Sequence, residues 1–143
     1  MKNQVLNYRR VIVVDDNRVD LFLNTLLVKK LNIAEEVVSF EKPLQALGYL
    51  RTLAKKRTDN ILLLLDLNMP DISGFEFLEA LPPMIDQLEC FDVLIVTSSI
   101  DCEDRNKAYS NPLVNDFLIK PLRLEELNHS IGLRSTEVNS KIS

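Results

Sequence analysis

The chain has no tryptophan, one histidine and two cysteines among its 143 residues. Each shortage removes a class of function. His129 lies in a polar stretch with no sign of a site around it, and Cys90 and Cys102 lack the spacing of a metal-binding pair. No signal peptide is visible, so both cysteines read as reduced thiols in a cytoplasmic protein. Cys102 has no resolving partner that would make it a redox sensor. The longest apolar run is far below the roughly 20 residues a membrane-spanning helix needs. A net charge of −4, with no Lys/Arg stripe interleaved with aromatics, speaks against a nucleic-acid partner. There is no internal repeat and no low-complexity segment. What remains is 46% apolar and 27% charged, the composition of a soluble globular protein with a single sizeable core.

That core is organised around Ile61-Leu62-Leu63-Leu64-Leu65-Asp66-Leu67-Asn68-Met69-Pro70. Five apolar residues fit a strand covered on both faces, as in a parallel sheet. Met69-Pro70 stops it, because proline cannot donate to a ladder and biases its predecessor away from the α region. Asp66 is therefore expected at the carboxyl end of a central strand, the rim where open α/β sheets hold their ligands.

The rest of the chain alternates in the same way. Arg9 to Val14 reads as a first strand ending in Asp15-Asp16-Asn17, which combines turn chemistry with a helix cap. Val19, Phe22, Leu23, Leu26, Leu27 and Leu31 follow at helical spacing and predict one buried face. Glu35 to Phe40 reads as a second strand near an edge. Pro43 opens a second helix with Leu47, Leu50, Leu53 and Ala54 as its stripe and Lys55-Lys56-Arg57 in its last turn. After the central strand, Asp71 to Gly74 is a turn and Phe75 to Leu81 a short helix ended by Pro82-Pro83. Met84 to Phe91 suggests a helical turn and then loop. Asp92 to Val96 is a fourth strand, Cys102 to Tyr109 a polar helix broken by Asn111-Pro112, and Asn115 to Ile119 a fifth strand. Leu124, Leu127 and Ile131 mark a last helix with Gly132 near its C-cap. Residues 1–8 read as a loose arm, 9–133 as one domain and 134–143 as a flexible tail. Strand and helix repeated five times imply an α/β fold, a doubly wound parallel sheet with right-handed crossovers.

Four of these strands end on polar residues: Asp15/Asp16, Asp66, Thr97 and Lys120. In a parallel sheet the ends share one rim, so the four converge. Each alone reads as a helix cap or a strand-end polar residue; together they make a pocket of three carboxylates, a hydroxyl and an ammonium. No cysteine nucleophile or histidine base is among them, which argues against a triad hydrolase. Two unit charges about 5 Å apart at an effective dielectric near 20 repel by roughly 3 kcal/mol, so the pocket calls for a cation. Oxygen-only ligands favour Mg²⁺, or Mn²⁺, over zinc. A cation, an ammonium and a hydroxyl together suit a phosphoryl group. Asp66 is the best-placed nucleophile, and Asp15 and Asp16 the best-placed metal ligands.

These residues carry a resemblance. Val-Val-Asp15-Asp16-Asn17, Leu-Asp66-Leu-Asn68-Met-Pro70-Asp-Ile-Ser-Gly74, Val-Thr97-Ser98-Ser99 and Phe117-Leu-Ile-Lys120-Pro121, in that order, resemble the response-regulator receiver domains of the CheY-like family over about Arg9 to Leu133. The resemblance implies a (βα)5 fold with strand order 2-1-3-4-5. It implies that Asp66 accepts a phosphoryl group from the phosphohistidine of a sensor histidine kinase or a histidine phosphotransfer protein. By the same carry-over, Asp16, Asp66 and the backbone carbonyl of Asn68 hold Mg²⁺, with Asp15 acting through water. Thr97 and Lys120 engage the phosphoryl group, Phe117 is the switch aromatic, and Lys120-Pro121 is a cis bond. The expected function is two-component signalling rather than enzymatic turnover: a stand-alone cytoplasmic receiver docking on a downstream protein or relaying phosphate, with a homodimer left open. Two rivals rank lower. A haloacid-dehalogenase-like phosphatase wants Asp-x-Asp after the first strand and usually a cap domain. A flavin carrier wants a hydroxyl-rich loop where Asp15-Asp16 would repel phosphate.

Overall fold

The computed structural model describes residues 8–53, 60–85, 88 and 90–131. Strands β1 (Tyr8–Val14), β2 (Ala34–Phe40), β3 (Asn60–Leu65), β4 (Cys90–Thr97) and β5 (Val114–Ile119) form one sheet in the order β2-β1-β3-β4-β5. Every pairing is parallel. The helices are α1 (Arg18–Leu31), α2 (Pro43–Leu53), α3 (Gly74–Ala80), the single turn α4 (Pro82–Ile85), α5 (Cys102–Tyr109) and α6 (residues 124–131). This is the doubly wound fold expected from the alternation.

Period-two geometry divides β3 between two cores. Ile61, Leu63 and Leu65 pack with Ile12, Leu47, Leu50, Phe77 and Ile95 on the face covered by α2 and α3. Leu62 and Leu64 pack with Val11, Val13, Val28, Leu127 and Ile131 on the face covered by α1 and α6. Residues 61–65 are all essentially inaccessible, which explains why the strand is an unbroken apolar run rather than an alternating one.

Differences from expectation are local. β1 begins one residue early, at Tyr8, whose hydroxyl donates to the buried Asp92 at 2.8 Å. β4 and β5 also begin earlier, at Cys90 and Val114. The helical turn after α3 starts at Pro82 itself, a position proline tolerates because its missing N–H would be unsatisfied there anyway. The basic run Lys55-Lys56-Arg57, the Gly132 cap, the tail and most of the arm fall outside the described residues.

The larger correction concerns α1. Val19, Phe22, Leu23 and Leu26 were expected in its buried face, yet all four are exposed. Its inward side consists of the buried Asn24 and Val28 flanked by half-buried Leu21, Leu27 and Leu31. At 100° per residue these two sets lie on opposite sides of the helix. Apolar residues thus occupy both sides, and spacing alone could not tell which side meets the sheet.

Candidate functional site

Backbone register builds the site. Val14 lies beside Leu65 in the β1–β3 ladder, so the residues that follow, Asp15 and Asp66, leave the sheet together. The Asp66 N–H donates to the Val14 carbonyl at 3.2 Å, and the Asp15 N–H to the Phe40 carbonyl at 3.1 Å. On the other side Thr97 lies beside Ile119, and the Lys120 N–H donates to the Thr97 carbonyl at 2.8 Å. The Lys120-Pro121 bond is cis.

Asp15, Asp16 and Asp66 each offer a carboxylate oxygen within 4.8 Å of the others. Asp15 and Asp66 are buried and Asp16 is half-exposed. The Lys120 ammonium stands among carboxylates, 2.7 Å from Asp15 Oδ2, 2.9 Å from Asp20 Oδ2 and 3.3 Å from Asp66 Oδ2. Short polar turns anchor the acids from the other end. The Asn17 N–H donates to Asp15 Oδ1 at 2.9 Å and the Asn68 N–H reaches Asp66 Oδ1 at 3.4 Å.

The electrostatics follow from burial. Loss of solvent pushes the Asp15 carboxyl up to about 6, helped by the neighbouring Asp66 and opposed by the Lys120 ammonium and the Asn17 N–H. Burial works to strip the Lys120 proton, but Asp15, Asp20 and Asp66 outweigh it and hold the ammonium above its ordinary range. Asp15 Oδ2 touches Lys120 as an ion contact without hydrogen-bond alignment, and among the described residues no other donor reaches it. A buried carboxylate oxygen left in that condition, beside two further carboxylates, fits a hard divalent cation.

Thr97 is fully buried, and its hydroxyl accepts from the Ser99 N–H at 3.3 Å. Ser99 in turn donates to Asp104 on α5 at 2.7 Å, so the loop after β4 is tied to that helix. Phe117 is half-buried on β5, 6.4 Å from the Tyr109 ring, and borders a cleft with Ile100, Asp101, Cys102, Arg105 and Ile119. His129 and Cys102 are exposed.

Two contributors escaped the sequence reading. Asp20 sits in the first turn of α1, where an acid is already accounted for by the helix dipole, so its reach to Lys120 left no separate signal. In the sequence Gly74 reads as a turn residue. Its φ is not positive; instead a Cβ there would lie 2.5 Å from the Asp66 carbonyl oxygen and 2.8 Å from Leu67 Cα. Glycine lets α3 start directly against the backbone that carries Asp66, with the Gly74 N–H donating to the Leu67 carbonyl at 2.8 Å.

The fold and this acidic notch define a class. The chain belongs to the response regulator receiver domain family, whose model matches residues 11–132. It is 30% identical over 122 residues to a probable methanogenesis regulatory protein, FilR2, of Methanothrix harundinacea, covering 85% of this chain and 77% of that one. Among solved structures it is similar to a two-component response regulator of Cytophaga hutchinsonii, at 28% identity and a TM-score of 0.73, covering 86% of this chain and 93% of that one. A response regulator receiver protein of Dyadobacter fermentans is 31% identical with a TM-score of 0.69, over 84% and 92% of the two chains. The protein is a two-component response regulator receiver, and receivers of this family bind Mg²⁺ at an acidic pocket such as the one assembled here. Neither the family match nor the structural neighbours support the phosphatase alternative. Among the described residues, no helix is long and apolar enough to cross a membrane.

Proposed function

We propose that Asp66 is the phosphoacceptor and that the notch around it converts phosphorylation into a change of partner-binding surface. The observation that carries this reading is the convergence of Asp15, Asp16, Asp66 and Lys120 from three strand ends onto one point. An Asp66 carboxylate oxygen attacks the phosphorus of a phosphohistidine on a kinase or phosphotransfer protein. The O–P bond forms as the P–N bond breaks. The electron pair of that bond returns to the imidazole, which leaves neutral because its other nitrogen carries a proton.

Mg²⁺, or Mn²⁺, held by Asp16, Asp66 and the Asn68 carbonyl with Asp15 behind a water, would supply positive charge to the phosphoryl oxygens. Lys120 supplies a second positive charge from the end of β5, and Thr97 contributes a hydroxyl donor once drawn toward the group. Because Thr97 is linked through Ser99 to α5, its movement carries the loop with it. The cleft beside Phe117, about 180 Å³, has room for that ring to shift. The surface altered is that of α5, β5 and α6, which would meet the downstream protein in the cytoplasm. A local change of charge then biases a two-state element.

The test is direct. Incubation with acetyl phosphate and Mg²⁺ should give acid-stable, base-labile phosphate on the wild type and none on Asp66→Asn; labelling unchanged in Asp66→Asn removes the assignment. Lys120→Ala should uncouple phosphorylation from partner binding.

A further inference from the structure

We propose that Asp20 is a positioning residue that holds the Lys120 ammonium in the unphosphorylated state and competes with the phosphoryl group for it. The proposal rests on Asp66 being the phosphoacceptor. An ammonium has three N–H donors, and Lys120 faces three carboxylate oxygens, those of Asp15, Asp20 and Asp66. Two of these contacts, to Asp20 and Asp66, are aligned hydrogen bonds, so an arriving phosphoryl group competes with them for the ammonium.

The three contacts are not equivalent. Phosphorylation converts the Asp66 carboxylate to an acyl phosphate and removes its charge, so that contact weakens of its own accord. Asp15 is 2% exposed, belongs to the acid cluster and cannot turn to water. Asp20 is different. It comes from α1 rather than from a strand end, its side chain is 33% exposed, and phosphorylation of Asp66 does not alter it covalently. A carboxylate at the solvent edge can release the ammonium and be hydrated without a burial penalty. Asp20 thus sets how readily Lys120 changes partners, and through Lys120 how far the phosphorylated state is populated.

Removing the charge should favour the phosphorylated state. A partly exposed, charge-assisted hydrogen bond corresponds to a bias of roughly three- to tenfold. With acetyl phosphate at fixed concentration and saturating Mg²⁺, Asp20→Asn should raise the steady-state ratio of phosphorylated to unphosphorylated protein by about that factor. Asp20→Glu, which restores the charge, should return the ratio toward the wild-type value. The ¹⁵Nζ resonance of Lys120 in the unphosphorylated protein should shift in Asp20→Asn. In a Lys120→Met background, Asp20→Asn should have no further effect on the ratio, because the competition acts through the ammonium.

A ratio unchanged in Asp20→Asn, an effect of equal size in the Lys120→Met background, or an unmoved Lys120 resonance would each overturn the proposal. Failure of the underlying reading looks different: Asp66→Asn would still take up label, whatever Asp20→Asn does.

Discussion

Asp15 shows what burial does to a single residue of the site. Its carboxyl is pushed up to about 6 from an ordinary 3.8, chiefly by loss of solvent. The folded protein therefore binds more protons than the unfolded chain between those two values, and this group lowers stability as pH rises through that window. Lys120 has the same sign in a higher window: its raised folded pKa contributes stability that is complete below 10.5 and is lost as pH climbs through the folded value. Without divalent cation, the Asp15 carboxyl carbon should titrate near 6 by NMR. Mg²⁺ should displace that proton, and Mg²⁺ affinity measured by calorimetry should fall as pH drops below about 6. Gly74 makes a second residue-scale case. Gly74→Ala drives a methyl into the Asp66 carbonyl oxygen, a backbone atom that cannot swing away. We expect about 1–3 kcal/mol of destabilisation in urea unfolding and slower acetyl-phosphate labelling, because the loop bearing Asp66 must shift. The five polar residues at four strand ends were legible in the sequence as stops to apolar runs. Asp20 and Gly74 were not, since an acid in a first helical turn and a glycine in a turn already have ordinary explanations.

At the scale of the element, α1 separates what periodicity can say from what it cannot. Helical spacing identified the helix, and Asn17 caps it by accepting from the Asp20 N–H at 3.0 Å. Spacing does not set the inward direction, because apolar side chains lie on both sides. A pair of substitutions measures the difference. Val28→Ala, 1% exposed and packed on the sheet, should cost roughly 1–3 kcal/mol. Leu26→Ala, at 46% exposure, should stay within about 0.5 kcal/mol. Equal losses in thermal unfolding would mean that α1 sits in another rotation. The polar α5 shows a related limit. It has little apolar periodicity, and it is fastened by Asp101 accepting from the Glu103 N–H, by Lys107 over the Phe75 ring and by Tyr109 donating to Asp116.

For the whole molecule, the central strand is the common wall of two cores. Leu63 faces α2 and α3, and Leu64 faces α1 and α6, each within 1% of full burial. Truncating either to alanine should cost about 2–5 kcal/mol in urea unfolding, since neither face has a solvent side toward which to relax. Both variants should also weaken Mg²⁺ binding, because Asp66 follows directly from the strand they loosen. A large stability loss with unchanged Mg²⁺ affinity would show that the notch is held by its own turns rather than by the sheet.

The sequence by itself determined the alternation of strand and helix, the buried centre at residues 61–65 and the polar residues closing four of the five strands. These are local patterns, and hydrophobic period together with proline and cap chemistry expresses them within a few residues. Tertiary structure decided which side of α1 faces the sheet, that Gly74 has no room for a side chain, and that Asp20 completes the ring of acids around Lys120. Each depends on how closely separate segments approach in space, and contacts between positions 20 and 120 or 66 and 74 are set by packing rather than by any periodicity along the chain.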